Sequence, residues 1–413
     1  MQAFAREACL SLAMRVDVLV CVGGERIVQC VNGIVQVRPE LARIENYIPG
    51  ESLEAFSART GVPIEHLIKL NSNESPYPPS PRALSALADF TNYNLYPDPD
   101  GRQLTAGLAR YTGIAAEHIV LSSGSNELIT RLWAAFLSPG DSVLLASPTW
   151  SLYTTATTLA GADTIAVPRR DGYDLDIEAM LAALRDDTKL IVVCSPNNPT
   201  GNLVSRADVE TLLATGRIVV VDEAYLEFAG EQAMAESPIS LVPEHDNLVV
   251  LRTFSKWAGL AGLRMGYGIF PRWLVPHIRK LQLPFDVNLA AHIASLATLE
   301  DLPLMRGRVA DLMAERERLF EVLRAQPYLR AYPSMGNFLL VEITDPRLSV
   351  ADLRASMESA GILLRYFRTP DLARHVRVTV GSPQHTEALA RVLSEVALRL
   401  GSPVSAPVSS TGL

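Results

Sequence analysis

Leu248-Val249-Val250-Leu251-Arg252-Thr253-Phe254-Ser255-Lys256-Trp257-Ala258-Gly259-Leu260-Ala261-Gly262-Leu263-Arg264 is the stretch whose reading decides what this chain is. It opens with four consecutive apolar residues, the pattern of a strand buried on both faces of a parallel sheet. It runs on into a lysine and a segment with glycines at 259, 262, 266 and 268, which let backbone approach a ligand closely. In open parallel sheets, ligands bind beyond the carboxyl ends of the strands, and Lys256 stands just past such an end. A lysine after a strand is by itself an ordinary solvated residue, so its surroundings decide.

Outward from it, the apolar run recurs. Ile119-Val120-Leu121, Ser142-Val143-Leu144-Leu145, Thr164-Ile165-Ala166-Val167, Leu190-Ile191-Val192-Val193, Ile218-Val219-Val220-Val221 and Gly266-Tyr267-Gly268-Ile269 all have the look of buried strands. Residues 126–137, 176–184 and 206–214 carry apolar residues at the three- and four-residue spacing of amphipathic helices. This alternation predicts an α/β protein with a large domain, a mostly parallel sheet sandwiched by helices. A helical stretch over 291–325, interrupted near Asp301-Leu302-Pro303, leads to strands at 337–342, 362–365 and 376–380 and helices at 350–360 and 386–400, a smaller α+β domain. The expected organisation is an extension (1–40) outside the chemistry, an arm (41–80) serving the small domain and the site, a large domain (81–290), a small domain (291–400) and a disordered tail rich in Ser, Pro, Gly and Thr (401–413).

The chain has 413 residues, 48% hydrophobic and 20% charged, enough for two domains with sizeable cores. A net charge of -8 and the lack of any run of five Lys/Arg argue against nucleic acid and leave small molecules as partners. Residues 8–22 are apolar but interrupted by Arg15 and Asp17; without a basic start or a cleavage site they make a poor signal peptide, and they are too short to span a bilayer. The expectation is a cytoplasmic protein with no membrane partner. Of four cysteines, Cys9, Cys21 and Cys30 fall in the extension, and Cys194 lies in an apolar run as a buried thiol. The seven histidines show no ligand spacing, so no metal is expected.

Asp222 closes the run Ile218-Val221, where a carboxylate needs a partner. Tyr225 follows three residues on, and Asn198 sits in Ser195-Pro196-Asn197-Asn198-Pro199-Thr200-Gly201. With Lys256 these are the parts of a pyridoxal-phosphate (PLP) site: an amine for the Schiff base, a carboxylate to keep the ring nitrogen protonated, and an amide and a phenol for the ring oxygen. A strand-end aspartate capping a turn, or an Asn-Pro turn, accounts for either alone but not for both beside the lysine. Ser122-Ser123-Gly124-Ser125-Asn126-Glu127 follows a strand and opens a helix expected at Leu128; a helix start favours an anion, although Ser and Asn there also serve as plain caps. Thr253, Ser255 and Arg264 would complete a phosphate cup, the arginine with its planar fork. Trp150 is a candidate to stack on the ring, or an ordinary core aromatic. Arg365 and Arg377 both lie on strands; pointing into a cleft they would bind a dianion, pointing outward they would be a solvated edge, and spacing leaves both open.

These motifs, with Asn46-Tyr47-Ile48-Pro49-Gly50, Leu70-Asn71-Ser72-Asn73-Glu74-Ser75-Pro76-Tyr77, Leu95-Tyr96-Pro97-Asp98, Pro284-Phe285-Asp286-Val287-Asn288 and the segments leading to Arg365 and Arg377, resemble those of the PLP-dependent aminotransferases of the aspartate-aminotransferase fold, and more closely their histidinol-phosphate aminotransferase branch. The resemblance covers about residues 41–400. It implies that Lys256 holds the cofactor and shuttles the proton, that Asp222 pairs with the ring nitrogen, Asn198 and Tyr225 with the ring oxygen, and that Trp150 stacks. It also implies that Ser125, Asn126, Thr253, Ser255 and Arg264 hold the phosphate, joined by Tyr96 of the neighbouring subunit in a homodimer. Arg377 would take the α-carboxylate of glutamate and Arg365 its distal carboxylate; the two arginines, with Tyr47 and Asn198, would grip a phosphorylated amine. The implied reaction is ping-pong transfer from L-histidinol phosphate to 2-oxoglutarate. The chain departs from the branch at Trp150, usually tyrosine, at Trp257, usually another residue, and at Asn46, usually proline. Alternatives are an aromatic or other amino-acid aminotransferase, a phospho-amino-acid decarboxylase, or a non-catalytic PLP-binding protein.

Overall fold

The computed structural model describes residues 21–22, 25–26, 37–44 and 51–401. They fall into two compact units, Met1–Asn46 and Tyr47–Leu413. The first contains a short antiparallel pair, β1 (Cys21–Val22) and β2 (Glu25–Arg26), and a 3-10 turn at Pro39–Arg43. Most of the predicted extension, nearly all of the tail, and Tyr47 lie outside the described residues.

The second unit holds two sheets. β3 (Ile68–Leu70) joins the small one; the large one is built from β4 (Ile119–Ser122), β5 (Ser142–Ser147), β6 (Asp163–Pro168), β7 (Thr188–Cys194), β8 (Ile218–Asp222), β9 (Leu248–Thr253) and β10 (Gly266–Ile269). Its strand order is β4-β10-β9-β8-β7-β5-β6, parallel throughout except that β10 runs antiparallel to both its neighbours. The predicted α/β sandwich follows from the residues: Val220, Val249 and Leu251 pack with Leu128, Tyr153 and Ile278 of helices on one face. Val219, Val221, Leu248 and Val250 pack with Leu108, Val209 and Ala291 on the other. Strands sealed on both sides read as continuous apolar runs. β6 departs from its expected burial. It is the edge strand among the described residues and buries only Val167, with Asp163, Ala166 and Pro168 exposed.

Helices Leu289–Leu299 and Leu302–Arg324 are separated where the interruption was expected; Pro303 stands in the first turn of the second, where its missing N–H leaves no bond unmade. The small sheet adds β11 (Leu329–Ala331), β12 (Phe338–Ile343), β13 (Ile362–Tyr366) and β14 (His375–Thr379), in the order β11-β12-β14-β13-β3. Only the β13–β3 pair is parallel. Among the described residues no helix is long and apolar enough to cross a membrane.

Candidate active site

β8 and β9 are parallel neighbours with Asp222 opposite Leu251, so the chain delivers Asp222 and, just beyond β9, Lys256 to one edge of the sheet. Asp222 is buried and accepts hydrogen bonds from Tyr153 Oη (2.8 Å) and the Ala224 N–H (3.1 Å). Burial pushes its carboxyl up to about 6, against the pull of the Tyr153 hydroxyl. Lys256 Nζ donates to the Ser72 carbonyl at 3.1 Å and lies 5.8 Å from the centre of the Tyr225 ring. Burial, aided by the Arg377 charge, pulls this amine down to about 8. The Tyr225 hydroxyl accepts from Asn73 Nδ2 at 3.2 Å and Asn198 Nδ2 at 3.5 Å, and burial raises it to about 12.

Beside the lysine, Thr253 Oγ1 donates to Ser255 Oγ (3.0 Å), which also accepts from Arg264 Nη1 (3.2 Å). The facing helix spans Ser125–Phe136 and so opens three residues before the expected Leu128, because Gly124 turns the chain at φ 80°. A Cβ on Gly124 would lie 2.4 Å from Arg264 Nη2, and one on Gly266 would lie 2.2 Å from Ser125 N. Only glycines allow the turn, the arginine and β10 to close up this tightly. Hydroxyls, a guanidinium and first-turn N–H groups converge, a donor set that fits a phosphate dianion. Ser125 is buried in this cup, while the Asn126 side chain is exposed.

The orientation that spacing left open is decided by pairing. Arg365 and Arg377 are directly opposite each other on β13 and β14, which puts both side chains on one face of the small sheet. Arg377 is buried, donating from Nη1 to Asn198 Oδ1 (2.6 Å) and from Nη2 to the Asn71 carbonyl (2.8 Å). Its face is therefore the one toward Lys256, and Arg365, half-buried, shares it. Trp150 is packed edge-on against Tyr153 at 5.6 Å, next to the partner of Asp222. Its segment is tied to that of Asn198 by Thr149 Oγ1 to Asn197 Oδ1 (2.7 Å) and Asn197 Nδ2 to the Pro148 carbonyl (3.0 Å). Cys194 is buried, as expected, and burial pushes its thiol up to about 12. Tyr96 is not in the cup; it is 78% exposed and stacked on Phe285 at 4.3 Å.

Sequence reasoning missed two side chains that the structure brings in. Tyr153 lies on a threonine-rich helix, Leu152–Leu159, where one more hydroxyl is a weak signal. Asn73, in the segment 70–77 with no role assigned, adopts φ 52°, a conformation asparagine tolerates better than most residues.

A strand-end amine and a buried carboxyl at one sheet edge, with a phosphate-type turn, on an α/β frame of two sheets define a group-transfer enzyme that works through an active lysine. The sequence profile of aminotransferase class I and II matches residues 65–393. Histidinol-phosphate aminotransferase of Roseiflexus castenholzii is 45% identical over 368 residues, which span 87% of this chain and 98% of that protein. The chloroplastic histidinol-phosphate aminotransferase of Nicotiana tabacum is 38% identical over 366 residues, 88% of this chain and 87% of that one. Among solved structures, histidinol-phosphate aminotransferase from Sinorhizobium meliloti in complex with pyridoxal-5'-phosphate matches with a TM-score of 0.79 at 25% identity, covering 89% of this chain and 99% of that one. The chain belongs to the aminotransferase class I and II family, within the branch of these histidinol-phosphate aminotransferases.

Proposed function

We propose that this protein is a PLP-dependent aminotransferase that moves the amino group of L-histidinol phosphate to 2-oxoglutarate, yielding imidazole acetol phosphate and L-glutamate. The observation that carries the reading is the arginine pair: Arg377 buried against Asn198, with Arg365 opposite it on the same face. Two guanidinium forks on one side of the lysine suit a phosphate in one half-reaction and the carboxylates of glutamate in the other. The names of the relatives support the same substrate.

PLP, when bound, supplies a carbonyl that takes the amino group and a protonated ring that draws off electrons from the α-carbon. Asp222 holds the proton on the ring nitrogen, positioned by Tyr153. Asn198 and Tyr225 would hold the ring oxygen, and Trp150 would pack against the ring. Ser125, Asn126, Thr253, Ser255 and Arg264 hold the phosphate. Lys256 Nζ would take and return the α-proton, and the burial that pulls its amine down to about 8 raises the share that is neutral and able to act as a base. Arg365, Arg377 and Asn198, with Tyr47, orient the substrate.

The large domain is read as 81–290 and the small as 291–400, served by the arm 41–80. Leu95, Tyr96, Leu283 and Phe285 form an exposed apolar group, which we read as part of a homodimer face from which Tyr96 reaches the partner's phosphate cup. A cytoplasmic location suits the soluble substrates and the free thiol of Cys194.

The test is a half-reaction. L-histidinol phosphate added without any 2-oxo acid should abolish the visible absorbance of the bound cofactor, and 2-oxoglutarate should restore it. A band that persists with this amine but falls with phenylalanine overturns the substrate, and carbon dioxide release would identify a decarboxylase.

A further inference from the structure

Arg131 is a buried cation outside the machinery described above, on the helix that opens at the phosphate turn. Its side chain is 4% exposed, and its Nη2 donates to Glu127 Oε1 and to Asp286 Oδ2. Each carboxylate passes the contact on. Glu127 Oε2 accepts the Ser123 N–H at 2.7 Å, which fixes the first residue of the turn 123–125. Asp286 Oδ1 accepts from Gln282 Nε2 (2.8 Å) and the Val287 N–H (3.0 Å), which fixes the segment 282–287. That segment holds Phe285 at φ 56°, a strained conformation for an aromatic residue, and Phe285 is what Tyr96 stacks on. Asp98 and Pro99 line one small cavity together with Gln282, Phe285 and Asp286, so the stretch that follows Tyr96 lies beside the segment 282–287. Among the described residues, Arg131 Nε and Nη1 are buried without a hydrogen-bond partner, and the guanidinium is held by its two carboxylates.

We propose that Arg131 is a positioning residue that ties the phosphate turn to the Phe285–Tyr96 contact, so that cofactor-phosphate affinity and self-association change together. This rests on reading the turn as the cofactor-phosphate site and Tyr96 as reaching a second copy of the chain. Both contacts come from the one nitrogen Nη2, whose two hydrogens can serve one carboxylate each.

The experiment compares Arg131→Met, Asp286→Asn and Arg264→Met in the full chain. It measures the PLP dissociation constant of the apoenzyme, the dimer dissociation constant by sedimentation, and KM for L-histidinol phosphate at saturating PLP. Arg131→Met should weaken PLP binding and self-association each by about tenfold or more, with little change in KM, a split that general loosening of the fold would not produce. Asp286→Asn keeps the volume and weakens the ion pair, and should move both constants in the same direction if Arg131→Met does not fold. Arg264→Met should weaken PLP binding alone; if it does not, the phosphate-site reading fails. If Arg264→Met weakens PLP while Asp286→Asn and any folded Arg131→Met leave both constants at wild-type values, the coupling is overturned.

Discussion

Asp222 and Lys256 reach the site on adjacent strands of the large sheet, whereas Arg365 and Arg377 reach it on adjacent strands of the small one, and different contacts hold the two pairs in place. The first pair is set by strands with apolar cores sealed on both faces, by the bonds of Tyr153 and Ala224 to Asp222, and by that of Lys256 to the Ser72 carbonyl. The second is aligned by antiparallel register, and Arg377 is held by its bonds to Asn198 and the Asn71 carbonyl. On the proposed reading, the large sheet carries what any transamination needs, and the small sheet carries what tells one amine from another. Damage to the first should affect every substrate equally. Damage to the second should discriminate.

The largest effect is expected at Lys256. Lys256→Ala should lower turnover by about 10⁴-fold or more for every amine, the upper range for loss of a general acid–base group, and remove the cofactor's visible band. Retained turnover with any amine would break the comparison at its base. Asp222→Asn should lower kcat about 10³-fold, again without regard to substrate, as expected for loss of a preorganised charge. Arg377→Leu should lower kcat/KM for anionic substrates by roughly 10- to 150-fold, the worth of a charged hydrogen bond of about 1.5–3 kcal/mol. Tyr153→Phe should cost only about tenfold in kcat, the size of effect seen when a supporting partner is removed, and shift the acid limb of the pH profile upward, because a bond that lowers the Asp222 pKa is gone.

Most of the large sheet was legible because a strand buried on both faces leaves an apolar run that nothing else explains as simply. Asp222 and Lys256 were legible for the same reason, as polar residues placed where such runs end. What could not be read depends on residues distant in sequence. The edge position of β6 follows from strand order, and the antiparallel β10 from the path of the chain back to β4. The direction of the arginines required the register of β13 on β14, which spacing does not encode. Tyr153 and Asn73 matter through contacts 69 and 152 residues away in sequence, to Asp222 and Tyr225.

The amine itself offers a smaller test. Burial pulls the Lys256 amine down to about 8, so uptake of PLP by the apoenzyme should speed up with rising pH through about 8 and then level off. A rate still climbing toward 10.5 would mean that the amine is not desolvated. The sign also holds for stability: between about 8 and 10.5 the unfolded chain binds more protons at this residue than the folded one, so the apoenzyme should gain stability as pH rises through that window.

The most direct test of the division between chemistry and recognition is the ratio of kcat/KM for L-histidinol phosphate to that for L-phenylalanine, measured in the wild type and in Arg365→Leu. This ratio should fall by about tenfold or more while the phenylalanine rate changes little, since a charged contact is lost for only one substrate. An unchanged ratio, with both rates falling together, would contradict that division.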